Sequence, residues 1–100
     1  MTIDYALARE LMVEQQVRPW EVLDAAVLEV IGRLPREAFV PEAQRALAYA
    51  DIELPLGHGV RMMKPVVEGR MLQALALQPG DSVLEVGTGS GYVTACLGEL

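Results

Sequence analysis

The feature that most constrains this chain is a run of alternating glycines near its end, Glu85-Val86-Gly87-Thr88-Gly89-Ser90-Gly91. Ser82-Val83-Leu84-Glu85-Val86 ahead of it reads as a short strand, and Tyr92 to Leu100 after it as the start of a helix. A strand, a glycine-rich loop and a helix in that order open a Rossmann-type βαβ unit. Glycine has no Cβ and tolerates φ > 0, so the backbone can turn sharply and come close to a ligand. The N-terminus of the following helix offers free N–H groups and the positive end of its dipole. That pairing suits the carboxylate or the adenosyl part of a nucleoside ligand. The competing reading is a glycine-rich turn that binds nothing.

The loop departs from two better-known phosphate binders. The third glycine of G-x-G-x-x-G would fall at position 92, which is Tyr92, and no Gly-Lys-Ser/Thr of a P-loop follows.

The rest of the chain divides into an N-terminal helical region, 1–78, and the strand, loop and helix start of 79–100. Ile3, Leu7 and Leu11 recur four apart, with Ala6 and Met12 beside them, and predict an apolar helix face. Thr2 or Asp4 is the candidate cap, and Arg18-Pro19 ends or bends the helix. Asp24 is a good N-cap for a second helix with Val27, Leu28, Ile31 and Leu34 as its stripe. A third helix is expected over 42–48. Residues 51–63, turning at Gly57-His58-Gly59, predict a short irregular hairpin. Pro65 suits the first turn of another helix, with Val67, Met71, Ala74 and Leu75 on one face.

Composition excludes several classes of partner. The 100 residues carry 14 acidic and 8 basic side chains, a formal net charge of −6. That argues against nucleic acid, which asks for a basic face, and against anionic membrane surfaces. No apolar run approaches the ~18 residues of a membrane span, and Met1-Thr2-Ile3-Asp4 lacks the layout of a signal peptide. Cys96 is the only cysteine, so no internal disulfide forms and a cytoplasmic location is expected. No metal site is expected. Hydrophobic residues make up 52 % and the mean hydropathy is +0.27. A chain this small and apolar either packs very well or keeps apolar surface for a partner or for further sequence.

Several motifs in a fixed order sharpen the assignment. Pro35-Arg36-Glu37-Ala38-Phe39-Val40, then Ile52-Glu53-Leu54-Pro55-Leu56-Gly57-His58-Gly59, then Pro65 and the helix through Arg70-Met71, then Val83 to Tyr92 resemble the N-terminal part of the protein-L-isoaspartate O-methyltransferase family. The similarity runs from about Val22 to Leu100. It implies an α/β fold: an N-terminal helical region followed by the start of a Rossmann-like S-adenosylmethionine-dependent methyltransferase domain, incomplete at residue 100. The implied activity is protein carboxyl methylation with S-adenosylmethionine as cofactor and a protein or peptide carboxylate as substrate.

By this resemblance the first motif, Glu85, Gly87, Thr88, Gly89, Ser90 and Gly91, holds S-adenosylmethionine. Val60, Arg61, Met62 and Met63, with Glu68 one turn into the next helix, lie against cofactor and substrate. Glu85 would favour a ligand carrying an ammonium and a sulfonium. The family's Thr-Ile-Ser puts its active-site serine at position 63, which here is Met63. Methionine has a weak sulfur acceptor and no hydroxyl, so weakened or lost isoaspartyl activity is expected. Core filling by Met62 and Met63 is the competing reading.

The chemistry asks little of side chains. A substrate carboxylate is ionised near neutral pH, an unperturbed Asp having a pKa of roughly 3.9, and catalysis can rest on proximity and alignment. His58 between two glycines reads as a turn residue, and Cys96 as a small buried apolar side chain. Trp20 is expected to pack locally, and Glu14-Gln15-Gln16 to form a solvated helix face. Arg61 and Lys64 are either simply exposed or attract an anionic substrate. The alternatives are another Rossmann methyltransferase with a different acceptor, or a non-catalytic helical binding module. A βαβ unit takes about 30 residues or more, so the strand at Ser82 is expected to lack parallel partners within the chain. Self-association through it or partial order, without turnover, follows as the expectation for the isolated chain.

Overall fold

The computed structural model describes residues 2–100, which leaves Met1 of the N-terminal layout outside the described residues. Helix α1 spans Tyr5–Met12 and is capped by Asp4, whose carboxylate accepts from the Leu7 N–H at 3.0 Å. The chain then loosens into a π turn over Val13–Val17 and tightens into a 3₁₀ turn over Arg18–Trp20. Pro19 accounts for the change, because its ring clashes with the carbonyl four residues back and it has no N–H to donate. Glu21, with φ of 68°, stops the helical path.

The apolar face of α1 is not the expected one. Ile3, Leu7 and Leu11 are 44 %, 50 % and 44 % exposed, while Met12, Val13 and Val17 enter the core. The stripe that is buried is the one that continues past the π turn toward Val22, and an ideal 3.6-residue period does not follow that change of winding.

Helix α2, Ala25–Arg33, is capped by Asp24, which accepts from the Val27 N–H at 3.1 Å. Val27, Leu28, Val30 and Ile31 are its buried side chains, and Leu34 is half-buried. Two 3₁₀ turns follow, Arg36–Phe39 and Glu42–Leu47. The second stands where a third α-helix was expected. Six residues behind Pro41, with no buried member, give too short a run to repay the nucleation of an α-helix.

Strands β1, Leu54–Gly57, and β2, Val60–Met62, form an antiparallel hairpin with Leu54 opposite Met62 and an irregular register between Pro55 and Gly57. Its tip carries three positive φ angles in succession, at Gly57, His58 and Gly59. Only β1 and β2 are paired among the described residues. The fold is therefore one of helices with a small sheet.

Helix α3, Pro65–Leu75, begins on its proline. Val67, Met71 and Leu75 of the expected face are 45 %, 37 % and 47 % exposed, and Ala74 is exposed as well. Pro65, Glu68, Gly69 and Leu72 are buried instead. Two residues cause the rotation. Gly69 lets α3 approach closely, since a Cβ there would stand 3.1 Å from Val17 Cγ1 and 3.4 Å from Ile31 Cδ1. Glu68 is carried inward by a buried partner that hydropathy cannot foresee.

Ser82 to Val86 is not a strand in this structure, contrary to the expectation. A strand needs a hydrogen-bonded neighbour, and the hairpin does not extend to it. Leu84 and Val86 are each 88 % exposed. Helix α4, Tyr92–Glu99, closes the chain and buries Tyr92, Val93 and Cys96.

Candidate functional site

The glycine loop is a turn running into α4. Gly87, Gly89 and Gly91 all have positive φ, at 73°, 61° and 86°. The Gly91 N–H donates to the Thr88 carbonyl at 3.2 Å, and the Tyr92 N–H to Ser90 Oγ at 3.2 Å. The Ala95 N–H bonds the Gly91 carbonyl at 3.0 Å, the first bond of the helix. Side chains other than glycine seldom take this backbone path. Glu85 is half-buried and accepts a hydrogen bond from Thr94 Oγ1 on α4.

Beside the loop lies a cavity of about 510 Å³. Glu85, Gly87, Thr88, Gly89 and Ser90 line it on one side. Val60, Arg61 and Met62 of β2, then Met63, line it from the hairpin, and Glu68 from α3. Gly91 is not among its walls. Leu56, Val86 and Val93 also line it, and their apolar character gave no means of telling them from core residues in the sequence. Met62 is 3 % exposed and belongs to the core, whereas Met63 is half-buried and also lines a neighbouring apolar cleft with Met71 and Leu75.

Arg36 was not singled out as a functional residue, although it stands in the Pro35–Val40 motif. It is the largest fully buried side chain. Its Nε donates to the Ala48 carbonyl at 2.7 Å, Nη2 to the Met63 carbonyl at 2.9 Å, and Nη1 to Glu68 Oε1. The guanidinium carbon lies 4.8 Å from the centre of the Tyr92 ring, which meets Phe39 edge-on at 5.6 Å. One cation thus joins the turn at 36–39, the end of the hairpin, α3 and α4. The Arg36 N–H also bonds the Tyr49 hydroxyl at 3.0 Å, which donates to Glu37 at 2.8 Å and accepts from Arg9 Nε at 3.0 Å.

This burial shifts protonation. Loss of solvent pushes the Glu68 carboxyl up to about 7, against the opposing pull of the Arg36 guanidinium. Burial also raises the Tyr92 hydroxyl far above its usual value and the Cys96 thiol to about 11. Cys96 is fully buried, and a thiol held protonated is a poor nucleophile.

The remaining candidates lie apart from the cavity or on the surface. His58 occupies the hairpin tip with φ of 54°. Trp20 is 61 % exposed and lines a shallow surface cleft with Lys64, Val66, Val67 and Arg70. Gln16 is tied to the Tyr49 carbonyl at 2.8 Å, so only Glu14 and Gln15 of that group are solvated. Arg61 and Lys64 are exposed, Arg61 at the cavity mouth. Among the described residues no His, Cys, Asp and Glu side chains cluster as metal ligands, and no helix is long and apolar enough to cross a membrane.

The profile of the family described as Protein-L-isoaspartate(D-aspartate) O-methyltransferase matches residues 8–100. A Protein-L-isoaspartate O-methyltransferase of Aeropyrum pernix is 52 % identical over 96 residues, which are 96 % of this chain and 37 % of that protein. Protein-L-isoaspartate O-methyltransferase 2 of an Anaeromyxobacter species is 51 % identical over 92 residues, 92 % of this chain and 38 % of the relative. The corresponding protein of Methylorubrum extorquens is 48 % identical over 97 residues, 97 % of this chain and 42 % of its own length. The chain spans about two fifths of the length of these curated relatives.

Proposed function

Because the chain belongs to the protein-L-isoaspartate(D-aspartate) O-methyltransferase family, we propose that it supplies the methyl-donor cavity of a protein carboxyl methyltransferase that uses S-adenosylmethionine. The observation that carries this reading is the shared cavity: the glycine loop, Glu85, residues 60–63 and Glu68 face one space of about 510 Å³. The names of the relatives favour it over a non-catalytic module or a different acceptor.

The residues present suit the cofactor. Two carboxylates, Glu85 and Glu68, line the cavity and complement a cationic ligand. The loop glycines leave space that side chains would take: a Cβ at Gly89 would stand 3.8 Å from Leu56 Cδ1, on a backbone with φ of 61°. Bound S-adenosylmethionine would supply an electrophilic methyl group with a neutral leaving group. Glu85, Thr88, Gly89 and Ser90 would hold and orient it, with Gly91 setting the turn into α4. Leu56, Met62, Met63 and Val93 would exclude water. The acceptor in this reading is an ionised carboxylate of a protein or peptide, which needs no general base, and Arg61 at the mouth would draw it in.

The wider setting belongs to the same proposal. The 82–86 segment and loop would form part of a Rossmann-like sheet. Leu84 and Val86, each 88 % exposed, would support self-association where no other strand covers them. A lone, buried Cys96 agrees with a cytoplasmic setting.

Labelled methyl transfer from S-adenosylmethionine to an isoaspartyl peptide, compared with the same peptide carrying ordinary aspartate, tests the proposal in the intact protein. Transfer to the isoaspartyl peptide supports it. Transfer to neither peptide, by the protein and by its Met63→Ser variant alike, contradicts the assigned acceptor.

A further inference from the structure

Half of the chain's eight basic side chains are neutralised locally: Arg9, Arg18, Arg33 and Arg36 each pair with a glutamate. Among the described residues Arg45, Arg61, Lys64 and Arg70 form no ion pair, although acidic side chains outnumber basic ones by 14 to 8. Three of these four fall in one stretch, from β2 to the second turn of α3. Lys64 and Arg70 line a surface cleft of about 290 Å³ whose apolar walls are Trp20, Val66 and Val67. Trp20 is 61 % exposed and Val67 45 %. Asp51 is the one acidic residue of the cleft. Two cations against one carboxylate leave it net positive in a chain of net charge −6. It also joins tryptophan and arginine, two side chains enriched at the energetic centres of protein interfaces.

The cleft adjoins the large cavity. Arg61 stands at the cavity mouth and Met63 in its wall, and Lys64 of the cleft follows directly. Arg61 and Lys64 are three residues apart, so their Cα atoms lie within about 11 Å of each other. An extended polypeptide covers that distance in about three residues. We infer that the Trp20 cleft is a docking subsite for the acceptor polypeptide, and that it takes acidic residues beside an aromatic one, about three to five positions from the acceptor carboxylate. This rests on reading the cavity as the methyl-donor site. Lys64 and Arg70 meet the acidic side chains, and Trp20 and Val67 cover the aromatic one. Complementary charge of this kind selects partners and speeds encounter more than it adds affinity. A nucleic acid would also suit a tryptophan beside cations, but its many phosphates would face a chain of net charge −6. A peptide flank brings only the few charges that the cleft can match.

The test titrates the intact protein into fluorescently labelled isoaspartyl peptides and reads anisotropy. One set carries Glu-Phe-Glu beginning three positions from the isoaspartate, on its N-terminal or its C-terminal side. The other set carries Gln-Phe-Gln at the same places. The acidic peptide should bind about three- to tenfold more tightly than its neutral counterpart, the scale of two exposed charge pairs. The preference should appear with the flank on one side only, because a peptide bound in one direction passes the cleft on one side of its acceptor. Arg70→Glu should abolish the preference. Trp20→Ala should weaken both peptides several-fold and leave the preference in place. Both side chains are exposed, and the unfolding midpoint shows that each variant is folded.

Equal affinity for the acidic and neutral peptides overturns the inference, and so does a preference that survives Arg70→Glu. The same preference with the flank on either side, which diffuse attraction gives, overturns it as well. Displacement of the acidic peptide by a single-stranded oligonucleotide at equal molar concentration, lost in Arg70→Glu, assigns the cleft to nucleic acid instead. S-adenosylmethionine titrated into the same protein keeps the two readings apart. Binding of the methyl donor without a flank preference removes the docking subsite alone. Absence of donor binding removes the cavity reading and the subsite built on it.

Discussion

Arg36 and Glu68, 32 positions apart, form an ion pair in which both side chains are buried, 1 % and 2 % exposed. Burying two charges is stabilising only when geometry and extra hydrogen bonds offset the lost hydration. Here Arg36 has two backbone carbonyls and an aromatic ring besides the carboxylate. Arg36→Met keeps much of the volume but strands Glu68. It should destabilise the protein by about 3–5 kcal/mol, read as a lower midpoint in chemical denaturation. Adding Glu68→Leu should recover part of that loss, because the stranded charge is gone. A single Arg36→Met variant as stable as wild type would refute the structural role of the pair.

The same pair sets a pH dependence. Burial raises the Glu68 carboxyl from 4.5 to about 7 in the folded state. The folded protein therefore binds more protons than the unfolded chain between those values. This group's contribution is full below about 4.5 and is lost as pH rises through about 7. Equilibrium unfolding measured from pH 4.5 to 8 should show this slope, and Glu68→Gln should flatten it. The same slope in the variant would assign the effect to other groups.

Met63 governs the third expectation. It lines the cavity where the resemblance puts a serine hydroxyl. Its backbone carbonyl, not its side chain, is bound to Arg36 at 2.9 Å. Met63→Ser should therefore leave the network intact. It should raise isoaspartyl methyl transfer by about tenfold or more, the scale of one hydrogen bond made in a buried site. Full activity in the unmodified protein, with no gain on substitution, would show that the hydroxyl is dispensable.

Local signals were the most readable in the sequence. Asp4 and Asp24 cap their helices by side-chain bonds to backbone three residues on, Pro65 opens α3, and three residues of positive φ turn the hairpin. Each depends on chemistry within a few residues. The helix faces were less readable. α1 and α3 each bury a face other than their most apolar stripe, and that choice was made by features outside the periodicity: the π turn before Pro19, the close contact at Gly69, and the buried Arg36 that pairs with Glu68. Arg36 was hidden for the same reason, because an arginine reads as surface until its partners are known. The cavity walls at Glu85, Gly87 to Ser90 and residues 60–63 were nameable from motif order, whereas Leu56 and Val93 were not.

The glycine loop carries the central claim, and Gly89 is its most exacting position. Its φ of 61° disfavours a β-branched residue, and a Cβ there would already stand 3.8 Å from Leu56 Cδ1 in the cavity wall. Calorimetric titration of the intact protein with S-adenosylmethionine, before and after Gly89→Val, is the most direct measurement. The account predicts saturable binding by the wild type and none detectable in the variant. The unfolding midpoint of the variant shows that it is still folded. Undiminished affinity in Gly89→Val, or no binding by the wild type, would contradict the assignment of this loop to the methyl donor.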